Sequence, residues 1–278
     1  MKKIHLLPNV ITAFGLSCGL FVIFRVALLP VGSIDEPILT SIAGIMLLAA
    51  LADLLDGAVA KAMKAESEFG GLFDSLADGI TFGVAPSVVA LKSLSIPQGT
   101  ELWFMTTAAA MVYSLCGVLR LVRFGVQASH SREHADQKAL NQNFTGLPIP
   151  AAAAAAISAI LLLFSSELEW FVHFSEYTRA WIVIGMLTLL GYFMVSRWKF
   201  PSLKTLHIRV ASFQVVFLTV IGAVFFFYGI IHFFPLVFFA VAWLYLVVSW
   251  ILSIIRVISG RKSKTLEEFE PDPDEFDE

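Results

Sequence analysis

The sequence predicts an all-α membrane protein, and three observations carry that prediction. Of its 278 residues, 58% are hydrophobic and only 15% are charged, whereas a soluble domain carries roughly a quarter of its residues as charge. The mean hydropathy is +0.80, and long apolar runs recur from end to end, as in a polytopic helical protein. The basic residues gather on alternate connections between those runs, as the positive-inside rule requires.

Eight spans are expected, over residues 10–30, 38–60, 72–94, 103–122, 148–164, 181–195, 210–231 and 236–255. Most reach the roughly 20 residues that cross about 30 Å of hydrocarbon. The first follows "MKK", which resembles the start of a signal peptide. Pro8-Asn9 interrupts that run and no small-residue cleavage site closes it, so it reads as a permanent span. The second and third flank an acidic segment, 53–79, and return from one cytoplasmic turn. The fourth ends at Arg120 and Arg123. The fifth opens on a proline-framed start, "GLPIP", and like the sixth it is short. Between the sixth and seventh lies a basic connection, and after the eighth comes "KTLEEFEPDPDEFDE". That tail is acidic, carries two prolines and lacks an apolar period, so it reads as disordered.

With the N-terminus inside, Lys2, Lys3, Lys61, Lys64, Arg120, Arg123, Arg197, Lys204, Arg209 and Arg256 all fall on the cytoplasmic side. The other side holds Lys92 and Arg179, while Arg25 near the outer end of the first helix can snorkel. An even number of spans with both termini cytoplasmic follows. Cys18 and Cys116 lie within spans without CxxC spacing and read as packing residues. A formal charge of −3 says little about partners, and no nucleic acid partner is expected.

"DLLDGAVAKAMKAESEFGGLFDSLADG" places four aspartates in an otherwise apolar region, where charge is costly and usually functional. Asp53 and Asp56 share a helical face with Gly57 and Ala60; Asp74 and Asp78 share a stripe with Gly70. Helical rise sets Asp53 about 12 Å, and Asp56 about 8 Å, below Lys61, near where lipid head groups join their tails. Two helices joined by a short loop are expected to be neighbours, bringing the pairs together. Four converging carboxylates do not all ionise without cations beside them. Carboxylate-only ligation suits a hard divalent ion, Mg²⁺, Mn²⁺ or Ca²⁺. Small residues on the same faces let either a neighbouring helix or a ligand approach closely. Divalent ions beside a lipid plane suggest phosphoryl transfer, with one aspartate left to accept a proton from an attacking hydroxyl.

These residues resemble the signature of the CDP-alcohol phosphotransferases, D-x2-D-G-x2-A-R-x8-G-x3-D-x3-D. Asp53, Asp56, Gly57, Ala60, Gly70, Asp74 and Asp78 match it in identity and spacing. Lys61 stands at the arginine position, keeping the charge without the planar two-pronged donor. The resemblance implies that Asp53, Asp56 and Asp74 hold metal, that Asp78 also lines the metal site, and that Asp78 is the base. It further implies a CDP-linked substrate resting on Gly57, Ala60 and Gly70, a homodimer, and a six-helix core to which the last two spans are added. The expected division is a catalytic transmembrane domain over 1–205, two further helices over 206–258 and the tail over 259–278.

"LPNVIT", "DSLADGITFGVAP", "LRLVRF", "FTGLPIPAAA" and "MVSRWKFPSLK" look like the bacterial integral-membrane phosphatidylserine synthases within that family. Their similarity covers most of Leu7 to Lys204 and thins over the last two helices. It implies CDP-diacylglycerol and L-serine as substrates and a bacterial inner membrane, with the site cytoplasmic. Arg120 and Arg123 either grip a carboxylate or phosphate or serve as topological anchors. Asn9 and Thr12 either reach the nucleotide or cap the first helix. Asn143 and Gly146 precede a helix start that offers N–H groups to an anion. Gly79-x3-Gly83 suits close helix packing. His130 and His134 have zinc-pair spacing but no third ligand.

Two rivals stand beside this reading. One is a related transferase whose acceptor is glycerol 3-phosphate or an inositol phosphate, which would call for more cationic contacts. The other is a cation- or proton-coupled transporter; such proteins commonly repeat their key features in two halves, and here the acidic pairs occur once.

Overall fold

The computed structural model describes residues 6–63, 67–133, 146–196 and 228–259, and among these every regular element is helical. Helix α1 (Leu6–Ala27) leads to α2 (Glu36–Ala62), whose N-cap Asp35 accepts a bond from the Ile38 N–H at 3.2 Å, with a proline in the first turn. Helix α3 (Glu68–Asp78) starts four residues earlier than expected because the Ser67 hydroxyl caps Gly70 N at 3.0 Å. It runs through a π-helical segment, Gly79–Val84, into α4 (Ala85–Ser93).

Helix α5 (Glu101–Glu133) is 33 residues long, about 50 Å at helical rise. It therefore passes well beyond the expected boundary at 122, and Arg120 and Arg123 lie inside the helix rather than at its end. Helix α6 (Ile149–Leu163) follows Pro148, and the short α7 (Ser166–Phe171) is capped by Ser165. Helix α8 (Glu176–Val195) is capped by Ser175 and begins earlier than expected, and α9 (Phe234–Ser259) ends the described chain.

Among the described residues, six segments are long and apolar enough to cross a membrane: Leu7–Ala27, Glu36–Ala62, Phe69–Ser93, Glu101–Val126, Glu176–Val195 and Phe234–Ile251. The protein is thus an all-α, multi-pass membrane protein. The expected seventh span, 210–231, lies outside the described residues except for its last few. So do Asn143, His134 and the acidic tail beyond residue 259.

Helix α6 explains its own brevity. Ten of its 15 residues are buried, among them Ala152, Ala153, Ala155 and Ala156. It is the central post, packed by α2, the α4 region, α8 and α9, so protein rather than lipid surrounds it. Small side chains suit that position, because packing rather than water exclusion drives helix association in lipid. Helix α9 is fastened to α6 by the Trp243 indole N–H, which donates to Ala155 O at 3.2 Å. Gly79 and Gly83 pack within the chain, against Leu121 of α5 and Ile149 of α6.

Side chains of α5 satisfy the π segment's backbone. Tyr113, fully buried, donates to Phe82 O at 3.1 Å, and Ser114 donates to Gly83 O at 2.9 Å. Such segments often mark functional sites. At the end of the bundle remote from the four aspartates, Lys92 donates to Ala27 O and Leu29 O at 3.1 and 2.7 Å. There too Arg179 reaches Glu176 at 3.1 Å and Glu169 at 3.7 Å.

Candidate active site

The four aspartates face one narrow hollow. Its walls are Thr12, Gly15 and Leu16 of α1, Ala49, Asp53 and Asp56 of α2, Asp74, Ala77 and Asp78 of α3, and Thr81 and Phe82 of the π segment. The cavity is about 10 Å³, room for one water-sized group. The sequence pairs thus converge, but not by the expected direct packing of α2 on α3. Helix α1 packs against both, whereas α2 and α3 make few close backbone approaches. The carboxylates meet across the space this leaves.

Carboxylate oxygens of Asp53, Asp56 and Asp74 lie within 4.8 Å of one another. Asp56 is buried, at 4% exposure, and accepts a bond from the Thr12 hydroxyl at 2.5 Å. That hydroxyl also lies 3.1 Å from Pro8 O. Thr12 therefore orients a carboxylate, a use of this residue that its helix-start position did not disclose. The three-carboxylate set contains no sulfur or imidazole, so it fits a hard divalent cation. Asp78 shares the hollow but stands outside that closest group.

Among the described residues, nothing lies within 4 Å of the place where a Gly57 Cβ would sit, so no described helix fills that face. A Cβ on Gly70 would come 3.2 Å from Asn9 Oδ1 and 3.0 Å from Ser67 Oγ, which puts Asn9 beside the signature glycine. Ala60 is half-buried and Lys61 exposed at the last turn of α2.

Arg120 of α5 is half-buried and interacts electrostatically with Asp78 and Asp53, and with Tyr245 of α9. Tyr245 in turn is hydrogen-bonded to Ser249. Arg123 lies one turn further along α5, half-buried. Gly146 sits apart from the hollow: its φ is +88°, and its backbone abuts the carbonyls of Met194 and Ser196 at the end of α8. Leu147 N–H donates to Phe193 O at 3.0 Å beside it.

Sequence reasoning missed Thr81 and Tyr245. Thr81 stands three residues after Asp78, so the acidic stripe could have been followed one turn further. Nothing local to Tyr245 marks it, since its place depends on how α9 returns across the bundle.

The family model for CDP-alcohol phosphatidyltransferase matches residues 5–191. The chain is 27% identical over 265 residues to the CDP-diacylglycerol–serine O-phosphatidyltransferase of Helicobacter pylori strain J99, covering 94% of this chain and 98% of that protein. It is 33% identical over 198 residues to the protein of the same name from Bacillus subtilis strain 168, with 71% and 91% covered. With the Mycobacterium leprae protein of that name, identity is 33% over 168 residues, or 58% and 49% of the two chains. Because the Helicobacter match omits only 6% of this chain, it includes α9. The family model, by contrast, stops at residue 191, and the Bacillus match covers 71% of this chain.

Proposed function

The chain belongs to the CDP-alcohol phosphatidyltransferase family, and from that premise we propose that it transfers a phosphatidyl group from CDP-diacylglycerol to the hydroxyl of L-serine. Phosphatidylserine and CMP are the products. The observation that carries the reading is the convergence of Asp53, Asp56, Asp74 and Asp78 on one hollow, in a chain similar along nearly its whole length to a serine phosphatidyltransferase.

Asp53, Asp56 and Asp74 would hold the divalent cation, Mg²⁺ or Mn²⁺, with Ca²⁺ a further hard ion of the right chemistry. When bound, such an ion neutralises pyrophosphate charge and stabilises the departing phosphate. Thr12 fixes the Asp56 carboxylate for that task. Asp78, outside the closest group, takes the proton of the serine hydroxyl as its oxygen attacks the phosphorus attached to diacylglycerol. The new P–O bond forms to serine, the bond to CMP breaks, and the proton passes from Asp78 to solvent. Arg120, beside Asp78 and Asp53, is placed to hold a phosphate or the serine carboxylate. The open face at Gly57 receives the nucleotide end, with Asn9, Ala60, Lys61 and Gly70 at its edge. Arg123, Asn143 and Gly146 complete the set of residues proposed to bind serine or phosphate.

The charge bias along the sequence supports a site on the cytoplasmic side of a bacterial inner membrane, with both termini on that side. The lipid substrate enters from the surrounding bilayer, and a homodimer is the proposed assembly.

The test is release of labelled CMP by the purified full chain with serine, glycerol 3-phosphate or inositol phosphate, each with and without a chelator. The expected result is a lipid product with serine that the chelator abolishes and the divalent ion restores. Product with another acceptor but none with serine overturns the acceptor assignment. Undiminished turnover in the chelator overturns the metal role.

A further inference from the structure

Helix α7 is six residues long and none of them is buried. Trp170 and Phe171 at its end are 80% and 72% exposed, their rings edge to face at 4.9 Å. A short connection later, the first turns of α8 carry Tyr177 and Trp181, both exposed and edge to face at 6.3 Å. Four aromatic rings thus open outward from one short stretch of chain.

That stretch is held firmly all the same. Ser165 caps α7 by accepting from the Leu168 N–H at 3.4 Å, and the Ser166 N–H donates to Glu36 Oε2, at the start of α2, at 2.9 Å. Glu169 pairs with Arg179 of α8 at 3.7 Å, and the Arg179 guanidinium lies 4.8 Å from the centre of the Phe164 ring just beyond α6. Leu168 and Phe174 pack against the core. The segment is therefore fastened on three sides while its rings stay uncovered among the described residues.

Position indicates what covers them. Helix α8 is long and apolar enough to span the membrane, and its exposed Ile182, Leu189 and Tyr192 share the stripe that meets lipid. Tyr177 and Trp181 continue that stripe to the rim. This rim is remote from the acidic hollow, because Glu36 opens α2 whereas Asp53 and Asp56 lie in its last turns. Tyrosine and tryptophan, apolar in body with a polar tip, concentrate at the level of lipid head groups. Glu167 and Glu169 belong to the same short helix, and charge of that kind keeps it out of the hydrocarbon.

We propose that α7 and the first turns of α8 lie in the head-group region of the far leaflet, with Trp170, Phe171, Tyr177 and Trp181 in contact with phospholipid. The apolar side of such a segment enters the boundary between head groups and tails by about 5–10 Å. The tie from α7 to Glu36 gives this contact a consequence for the site. Along α2, about 30 Å of helical rise separates Glu36 from Asp56, close to the thickness of the hydrocarbon. Anchored by its ledge at one lipid interface, the chain holds its carboxylates at the other. The inference does not rest on the transferase reading, and its test reads no turnover.

The experiment places the full chain in phosphatidylcholine vesicles whose acyl chains carry bromine either near the head group or near the methyl end. Tryptophan emission of wild type is compared with that of Trp170→Phe and, separately, Trp181→Phe, so the difference reports each ring; iodide on both sides of the membrane is the aqueous quencher. The expected result for Trp170 is quenching at least about twofold stronger with shallow bromine than with deep bromine, as an interfacial depth requires, and little with iodide. Trp181, one turn further into the span, should show the same order with a smaller ratio, which keeps the test intact if one variant folds poorly. Quenching by iodide but by neither lipid would put the ledge in water and overturn the proposal. Stronger quenching by deep bromine would put it in the hydrocarbon and overturn it as well. Protection from all three quenchers would show that protein, such as a second copy of the chain, covers the rings instead of lipid.

Discussion

Removing the hydroxyl of Tyr113 tests whether the π segment is a maintained feature of the site. Tyr113 is fully buried and its hydroxyl reaches Phe82 O at 3.1 Å. Tyr113→Phe leaves that carbonyl without its donor in a setting where water does not replace it. A buried acceptor left unpaired costs about 1–3 kcal/mol, and a chain of this size loses about 2–4 °C per kcal/mol. Those two ranges together give a fall of about 2–12 °C in melting temperature. Phe82 and Thr81 both line the hollow, so turnover should fall more than partial unfolding explains. The assay is thermal unfolding in detergent alongside CMP release at a temperature well below the transition. Tyr192→Phe is the control, because Tyr192 is 59% exposed on α8 and should move stability by less than about 0.5 kcal/mol. If Tyr113→Phe left melting and turnover at wild-type values, the π segment would not depend on its α5 donors and the reasoning would fail.

Three further outcomes are expected. Asp78→Asn should lose turnover by at least about 100-fold, as removal of a general base does, while nucleotide binding measured by calorimetry changes far less; parallel loss of both would remove Asp78 from the base role. Gly19→Ala should destabilise by about 1–3 kcal/mol through overpacking, because its Cβ would meet the Thr81 backbone at 2.8 Å; an unchanged unfolding midpoint would contradict the close approach of α1 to the π segment. Gly146→Ala should destabilise by about 1–2 kcal/mol, the cost of a left-handed backbone for a residue with a Cβ, since φ there is +88°; a rise in substrate KM with unaltered stability would instead favour a direct binding role.

The acidic pairs were legible because helical periodicity alone places Asp53 with Asp56, and Asp74 with Asp78, on one face each. Their convergence was also expected, but its means was not. A short connection says that α2 and α3 run back to back; it does not say that α1 packs against both and holds the carboxylates across a gap. The close approach of α1 depends on Gly19, where an added Cβ would come 2.8 Å from Thr81 Cα, whereas one at Gly15 would make only ordinary contact, 3.6 Å from Ala52 Cβ. The π segment was invisible for a different reason. "GITFGV" has no local preference for π geometry, and the register shift is sustained by Tyr113 and Ser114 about 30 residues away. The length of α5 was underestimated because hydropathy ends a span at the lipid boundary, while a helix continues wherever its residues favour helix over coil. The electrostatic interaction of Tyr245 with Arg120 was beyond any local pattern, since it joins residues 125 positions apart.

Lys92 and Arg179, the cations assigned to the outward end, share one circumstance. Lys92 closes the carbonyl terminus of α1, and Arg179 bridges two carboxylates. Each is a fastening between neighbouring segments, with its charge answered inside the protein. In the finished fold these two positive charges are engaged by the chain itself, as clasps on the rim remote from the four aspartates, rather than left free for lipid head groups or solvent.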